Sequence, residues 1–297
     1  MTSLLQILAN GLALGSVYAL FASGYTLIFS VLGIINFAHG ALMTLGAYAA
    51  LTIWNTKPDL GFVFVLLLTM LFCALVNIGI GRVAFQTLRK KGAENWVSLV
   101  SGLGVGLVLV NGIQIIFGAE SRSFPVDPLA HFPPLLIWGE VRMRTIQFFL
   151  MFVSIFVLTL LSICVKFSSW GRKLRAVAEN ETAATLVGIP VARTLDSAFA
   201  IAGALAGLAG VLLALNFGIP GPYFGMTYGL KGLAVVVLGG LGQIGGTCVA
   251  GFLLGMAEAF LPADLSAYRD AVSFALLFAV LVVRPQGLFG RSGHQKV

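Results

Sequence analysis

The chain carries no Asp, Glu, Lys or Arg before Lys57. A soluble domain cannot cover its surface with so long a charge-free run, because charged side chains are the ones that stay in water. The run must therefore be solvated by lipid or buried inside a bundle. The whole chain agrees: of its 297 residues 59% are hydrophobic and only 10% charged, with a mean hydropathy of +0.99. No basic segment precedes Leu4, so the opening run reads as a retained span and not as a cleaved signal peptide.

Segments long enough to cross about 30 Å of hydrocarbon at about 1.5 Å per residue can be read at Leu4 to Leu32, Ile34 to Trp54, Leu60 to Gly81, Val97 to Phe117, Ile146 to Val165, Ser197 to Phe217 and Gly232 to Ala257, with a shorter one ending at Val283. The expected fold is an all-α polytopic transmembrane bundle of about eight or nine membrane segments, some broken or re-entrant. The basic stretches Arg82 to Lys91, Lys166 to Arg193 and Arg284 to Lys296 are placed in the cytoplasm by the positive-inside bias. Loop 118–145, with balanced charge and Pro125, Pro128, Pro133 and Pro134, is placed outside as an extended cap.

Three apolar segments separate Arg193 from the basic tail, and an odd number of crossings cannot join two points on one side. One segment must be broken. Gly239, Gly240, Gly242, Gly245 and Gly246 crowd one of them, so residues 230 to 261 are expected to form two short helices joined near the cytoplasmic side. Small residues also recur four apart at Gly11 and Gly15, Gly102 and Gly106, Gly203 and Gly207, and Gly251 and Gly255, a spacing that lets helices pack closely in lipid.

Within the charge-free run, GIINFAHG at 33 to 40 sets Asn36 and His39 three apart, on one face of a helix. Two readings stand. Polar groups at that depth, with freed amides, can line a path through a discontinuous helix; alternatively Asn36 caps a helix start and His39 hydrogen-bonds a neighbouring helix. Glu258 is the one acid inside an apolar block, either a proton-relay group or an interfacial carboxylate meeting Arg269 near Pro262; Lys231 can snorkel outward along its stem. Gly240, Gly242 and Gly245 match GxGxxG, but no alternating strand and helix follows, so a dinucleotide site is rejected. No GxxxxGK[ST] is present, so the chain cannot cradle ATP phosphates by the usual loop, and any ATP chemistry must come from a partner. Cys73, Cys164 and Cys248 lie singly in apolar sequence, and no metal site is expected. The net charge of +7 sits in loops and tail without interleaved aromatics, which argues against nucleic acid.

Against this background Ser168 to Arg193 is a polar island. Lys166, Arg172, Lys173, Arg175 and Arg193 surround a short helix whose Leu174, Val177 and Ala178 form an apolar side. A loop that only connected two spans would need no helix; the island reads as a handle for a soluble partner.

The runs LGSVYAL at 14 to 20, GIINFAHGALMTLGAY at 33 to 48, WGRKLRAVAEN at 170 to 180, LVGI at 186 to 189, AGLAGVLLA at 206 to 214, LKGLAVVVLGGLGQIGG at 230 to 246 and RPQGLFGR at 284 to 291 resemble the permeases of branched-chain amino acid ABC importers, the LivH type above all. The likeness spans essentially the whole chain in order, and implies one permease domain over residues 1–297 in a bacterial inner membrane. It also implies partners: a second permease subunit, identical or homologous, two cytoplasmic ATPases carrying the ATP and magnesium, and a periplasmic binding protein. By the same likeness the coupling loop, 166–194, docks on an ATPase through Trp170, Gly171, Arg172, Leu174, Arg175, Ala176, Ala178, Glu179, Asn180, Gly188 and Ile189. Asn36, Phe37, His39 and Gly40, with Gly239, Gly240 and Gly242, are the expected pathway residues. No cofactor is expected on this chain and no enzymatic activity. The alternatives are an importer of the same architecture for urea, an amide or an aromatic acid, and, with less support, a proton-coupled secondary transporter.

Overall fold

In the computed structural model, which describes residues 2–57, 59–124, 135–138 and 141–290, the charge-free run opens as a single helix, α1 (Thr2–Leu32). A backbone in lipid must satisfy its amides internally, and a helix does so within one segment. The chain continues with α2 (Ala38–Thr56), α3 (Phe62–Ile80), a π-helical turn at Gly81–Gln86, α4 (Thr87–Lys90), α5 (Asn95–Phe117), α6 (Thr145–Phe167), α7 (Ser169–Glu179), α8 (Glu181–Leu186), α9 (Val191–Phe217), α10 (Phe224–Gly239), α11 (Ile244–Ala259), a 3-10 turn at Ala263–Tyr268 and α12 (Arg269–Val283). Among the described residues six helical stretches are long and apolar enough to cross a membrane, and α10 and α11 are shorter apolar helices.

Burial divides these helices into a centre and a periphery. The most apolar window of α9 is 78% buried, against 22% for those of α5 and α6 and 6% for that of α12. Helix α9 packs on α1, α2 and α3, while α1 packs most closely on α11. Two of the glycine pairs legible in the sequence account for that last contact, since they face each other: a Cβ on Gly255 would stand 2.3 Å from Gly15 Cα, and one on Gly11 2.9 Å from Met256 Cα. The backbones touch there because no side chain intervenes.

The expected break falls between α10 and α11. Four helices, α9 to α12, therefore lie between Arg193 and Arg284, which removes the parity conflict. One end of the bundle gathers Leu32, Arg89, Arg175 and Gly242 around a common cavity. The other end joins Arg122 to Ile219 through a β-bridge and brings Asn10 of α1 to Gln147 of α6 at 3.2 Å.

One departure from the all-α expectation lies in the 118–145 loop, where β1 (Leu135–Trp138) and β2 (Val141–Met143) pair antiparallel as a small hairpin. Backbone outside the spans need not be helical, and pairing satisfies it equally well. Pro125, Pro128, Pro133 and Pro134, on which the extended cap rested, lie outside the described residues, as does the tail beyond Gly290.

Candidate functional site

The polar island folds into a helical hairpin and not into one helix. Ser168 caps α7 by accepting the Gly171 amide at 3.0 Å, and Gly171 sits against the carbonyls of Cys164 and Val165 where a Cβ would collide. Asn180, extended at φ −158°, ends α7 and caps α8 by accepting the Ala183 amide at 2.9 Å. Gly188 then leaves α8 at φ +81°, a conformation that glycine adopts without strain. Reading one helix missed this because Asn180 is both a stop and a start.

The hairpin also presents a different face from the one expected. Leu174 and Val177 are each 2% exposed, spent on packing against the bundle, so they cannot form an apolar contact with a partner. Of the three residues assigned to that side only Ala178 is exposed. Arg172, Lys173, Arg175, Glu179 and Asn180 are exposed too, while Ala176 and Ile189 are half-buried. The outermost apolar side chains are Leu186 and Val187, at 84% and 76% exposure, beside the exposed Gly188. Neither was singled out as a contact residue; they close α8, a helix that exists only because Asn180 ends α7 and starts a second one.

Polar side chains tie the hairpin to the bundle. Trp170 donates its indole N–H to Ser197 Oγ of α9 at 2.7 Å. Arg175 donates to the Val165 carbonyl, and Glu181 pairs with Arg89 of α4. Close by, Arg82 in the π-helical turn pairs with Asp196 of α9 at 2.6 Å, and Gln86 donates to the same carboxylate at 2.8 Å. Beneath α7 a cavity of 870 Å³ separates the hairpin from the end of α1 and the α10–α11 turn, with Ser30, Gly33, Arg175, Glu179, Gly242 and Gln243 in its wall.

At the α1–α2 junction, helix is interrupted between Leu32 and Ala38. Asn36 precedes α2, so it does not share a helix face with His39 as the spacing suggested. Its Oδ1 accepts the Ala38 amide at 3.1 Å, and its Nδ2 finds no partner among the described residues. His39 is fully buried, its Nε2 donating to the Phe21 carbonyl at 3.3 Å and its ring lying 4.9 Å from Phe21 and 4.4 Å from Tyr25. The other ring nitrogen, Nδ1, is buried without a partner among the described residues. Of this group, Phe37 and Gly40 line a cavity of 370 Å³ together with residues of α10 and α12. Gly40 approaches α10 at Gly225, and Thr44 Oγ1 accepts the Gly225 amide at 2.8 Å.

Gly239, Gly240 and Gly242 lie elsewhere. They form the α10–α11 turn, fourteen residues and about 21 Å along α10 from Gly225. The C-terminal RPQG segment folds back onto them, the Leu288 and Phe289 amides donating to the Leu238 and Gly239 carbonyls at 2.8 and 3.3 Å. Gly242 borders the cavity beneath α7. The two glycine-bearing groups expected to act together thus occupy different depths.

Two charged residues take positions that the sequence reading placed at the surface. Glu258 is 1% exposed and Lys231 6% exposed, and they pair at 2.8 Å. Tyr18 and Ser273 donate to the same carboxylate at 2.8 and 2.5 Å, and Lys231 also reaches Asp270 at 2.8 Å. The expected snorkelling of Lys231 and the expected Glu258–Arg269 pairing are both overturned. Lipid-depth charges neutralise each other when helices bring them together, and here α1, α10, α11 and α12 converge at one point.

Close backbone contacts, broken helices and six helical stretches long and apolar enough to cross a membrane among the described residues define a multi-pass membrane protein. The chain belongs to the family described as branched-chain amino acid transport system / permease component, whose profile matches residues 7–281. It is similar to the high-affinity branched-chain amino acid transport system permease protein LivH of Salmonella typhimurium, 35% identical over 99% of this chain and 97% of that protein. BraD of Pseudomonas aeruginosa, named as a permease of the same kind of system, is 36% identical over 99% of this chain and 98% of its own length. LivM of Escherichia coli K12 is 27% identical, over 92% of this chain and 67% of that protein. A solved structure of PsaBC from Streptococcus pneumoniae in complex with Fab superposes with a TM-score of 0.49 at 13% identity, covering 94% of this chain and 92% of that one.

Proposed function

We propose that this chain is the LivH-type permease subunit of an ATP-binding-cassette importer, carrying branched-chain amino acids from a periplasmic binding protein into the cytoplasm across the bacterial inner membrane. The observation that carries the reading is the hairpin at 169–186, with Leu186 and Val187 exposed at the end of its second helix and with side chains of both helices bonded to α9, α4 and the end of α6. Such a part can pass a partner's displacement into the core, because packed elements shift as bodies and do not deform continuously.

In this reading nine helices enter the membrane: α1, α2, α3, α5, α6, α9, α10, α11 and α12. The amino terminus and loop 118–145 lie outside, and the coupling loop 166–194, which carries the hairpin, lies inside. Two ATPase subunits hold ATP and magnesium and dock on the hairpins, and a homologous subunit of the LivM kind completes the pore. Trp170 and Gly171 fix the hairpin to the bundle, whereas Ala178, Leu186, Val187 and the rim of Arg172, Arg175 and Glu179 meet the ATPase. Asn36 to Gly40 form the flexible element of the pathway; Gly239, Gly240 and Gly242 form the hinge at its cytoplasmic end. A proton relay is disfavoured because Glu258 is already ion-paired.

The test is uptake of leucine, isoleucine and valine by the full complex in liposomes containing its binding protein. Import should require ATP, and Ala178→Arg should reduce it at least tenfold while the permease still inserts. Solute accumulation by the permease alone under a proton gradient sinks the proposal.

A further inference from the structure

We infer that the cavity between α2, α5, α10 and α12 is a way-station for the transported amino acid, in which Lys231 takes the substrate carboxylate and Asp270 its ammonium group. The inference rests on the function proposed above and adds a site to it. The cavity measures 370 Å³, near the lower end of the range of about 300–1,000 Å³ for small-molecule sites. Its wall is mostly apolar, with Phe37, Leu103, Met226, Leu233 and Phe274, and its charged members are Lys231 and Asp270. An aliphatic side chain fits the first set and a zwitterionic head the second.

The two acids around Lys231 are not equivalent. Glu258 is enclosed, accepts from Tyr18 and Ser273 as well as from Lys231, and does not line the cavity. Asp270 lines it, its side chain is 53% exposed, and its one ion-pair partner among the described residues is Lys231. Glu258 is therefore a fixed counter-ion and Asp270 a displaceable one. When a zwitterion enters, its carboxylate replaces that of Asp270 at Lys231 Nζ, and its ammonium pairs with the released Asp270. One carboxylate is exchanged for another, so the charge count around Lys231 is unchanged and no ion is left bare. The Tyr18 and Tyr228 rings, 5.7 and 5.6 Å from Nζ, hold the ammonium of Lys231 over the cavity. Exchange of this kind binds weakly enough to permit release, as conduction requires.

The experiment uses the full complex with its binding protein in liposomes. Asp270→Asn should lower leucine uptake at least tenfold while the variant assembles and melts like the parent, and Asp270→Glu should recover part of the rate. In a background lacking the native cysteines, Met226→Cys should react with a maleimide more slowly when leucine is supplied, and Asp270→Asn should abolish that protection. Normal uptake by Asp270→Asn overturns the site, and so does a loss of uptake that tracks lost assembly, since the pair would then be a structural clamp. A parent complex that imports no branched-chain amino acid at all overturns the underlying function, an outcome visible before any variant is made.

Discussion

Trp170 on α7 donates to Ser197 Oγ, and Ser197 donates onward to the Thr194 carbonyl, each at 2.7 Å. The α7–α8 hairpin is thereby bonded to the first turns of α9, the most enclosed long helix of the bundle. Removing that donor while keeping a ring in place, as in Trp170→Phe, should cost about 1 kcal/mol of hairpin attachment. Uptake per ATP hydrolysed should fall by up to about fivefold. Paired measurements of phosphate release and leucine uptake in the same liposomes check this; an unchanged ratio shows that the bond does not transmit motion.

Two substitutions on the same hairpin separate docking from folding. Leu186→Asp acts on an 84% exposed side chain, so the permease should fold normally but lose its ATPase, with affinity lowered roughly 30-fold if the residue is an anchor worth about 2 kcal/mol. Val177→Asp acts on a side chain that is 2% exposed and should lower the yield of folded subunit instead. Co-purification of the ATPase and the melting temperature in detergent read the two effects.

The Lys231–Glu258 pair predicts a steep asymmetry in stability. Glu258→Gln removes the enclosed partner of a lysine that is itself only 6% exposed, and breaking a buried pair costs about 3–5 kcal/mol. The double variant Lys231→Met with Glu258→Gln should be more stable than Glu258→Gln alone, since no cation is then left without its enclosed partner. Thermal denaturation of all three proteins decides the matter; equal melting temperatures would show that Asp270 alone satisfies Lys231.

Glycines at matched spacing should differ in tolerance. A Cβ on Gly255 meets Gly15 Cα at 2.3 Å, whereas one on Gly106 meets Ala38 Cα at an ordinary 3.5 Å. Gly255→Ala should destabilise by about 1–3 kcal/mol through overpacking, and Gly106→Ala should be close to neutral. Denaturation of the purified subunit gives the comparison directly.

The pairs Gly11/Gly15 and Gly251/Gly255 illustrate what could be read in advance and what could not. Their spacing marks close-packing faces, and the structure packs both. That they pack on each other joins residues 240 positions apart, which no local periodicity encodes. Leu174 and Val177 show the converse: their apolar stripe was legible, but whether the bundle or a partner covers it depends on how α7 lies against the ends of α1 and α6.

Hydropathy, charge and the glycine cluster at 239–246 determined the membrane class, the long helices, the break between α10 and α11 and the polar island, because lipid forces each backbone to satisfy itself locally and the cost of charge there writes loops into the sequence. The tertiary structure alone decided that Lys231 meets Glu258 and Asp270, that His39 of α2 stacks on Phe21 of α1, and that Leu186 and Val187 stay exposed at the end of α8. Those outcomes follow from the convergence of separate helices, and the energy of a buried charge or an exposed leucine is fixed by neighbours that the linear chain does not name.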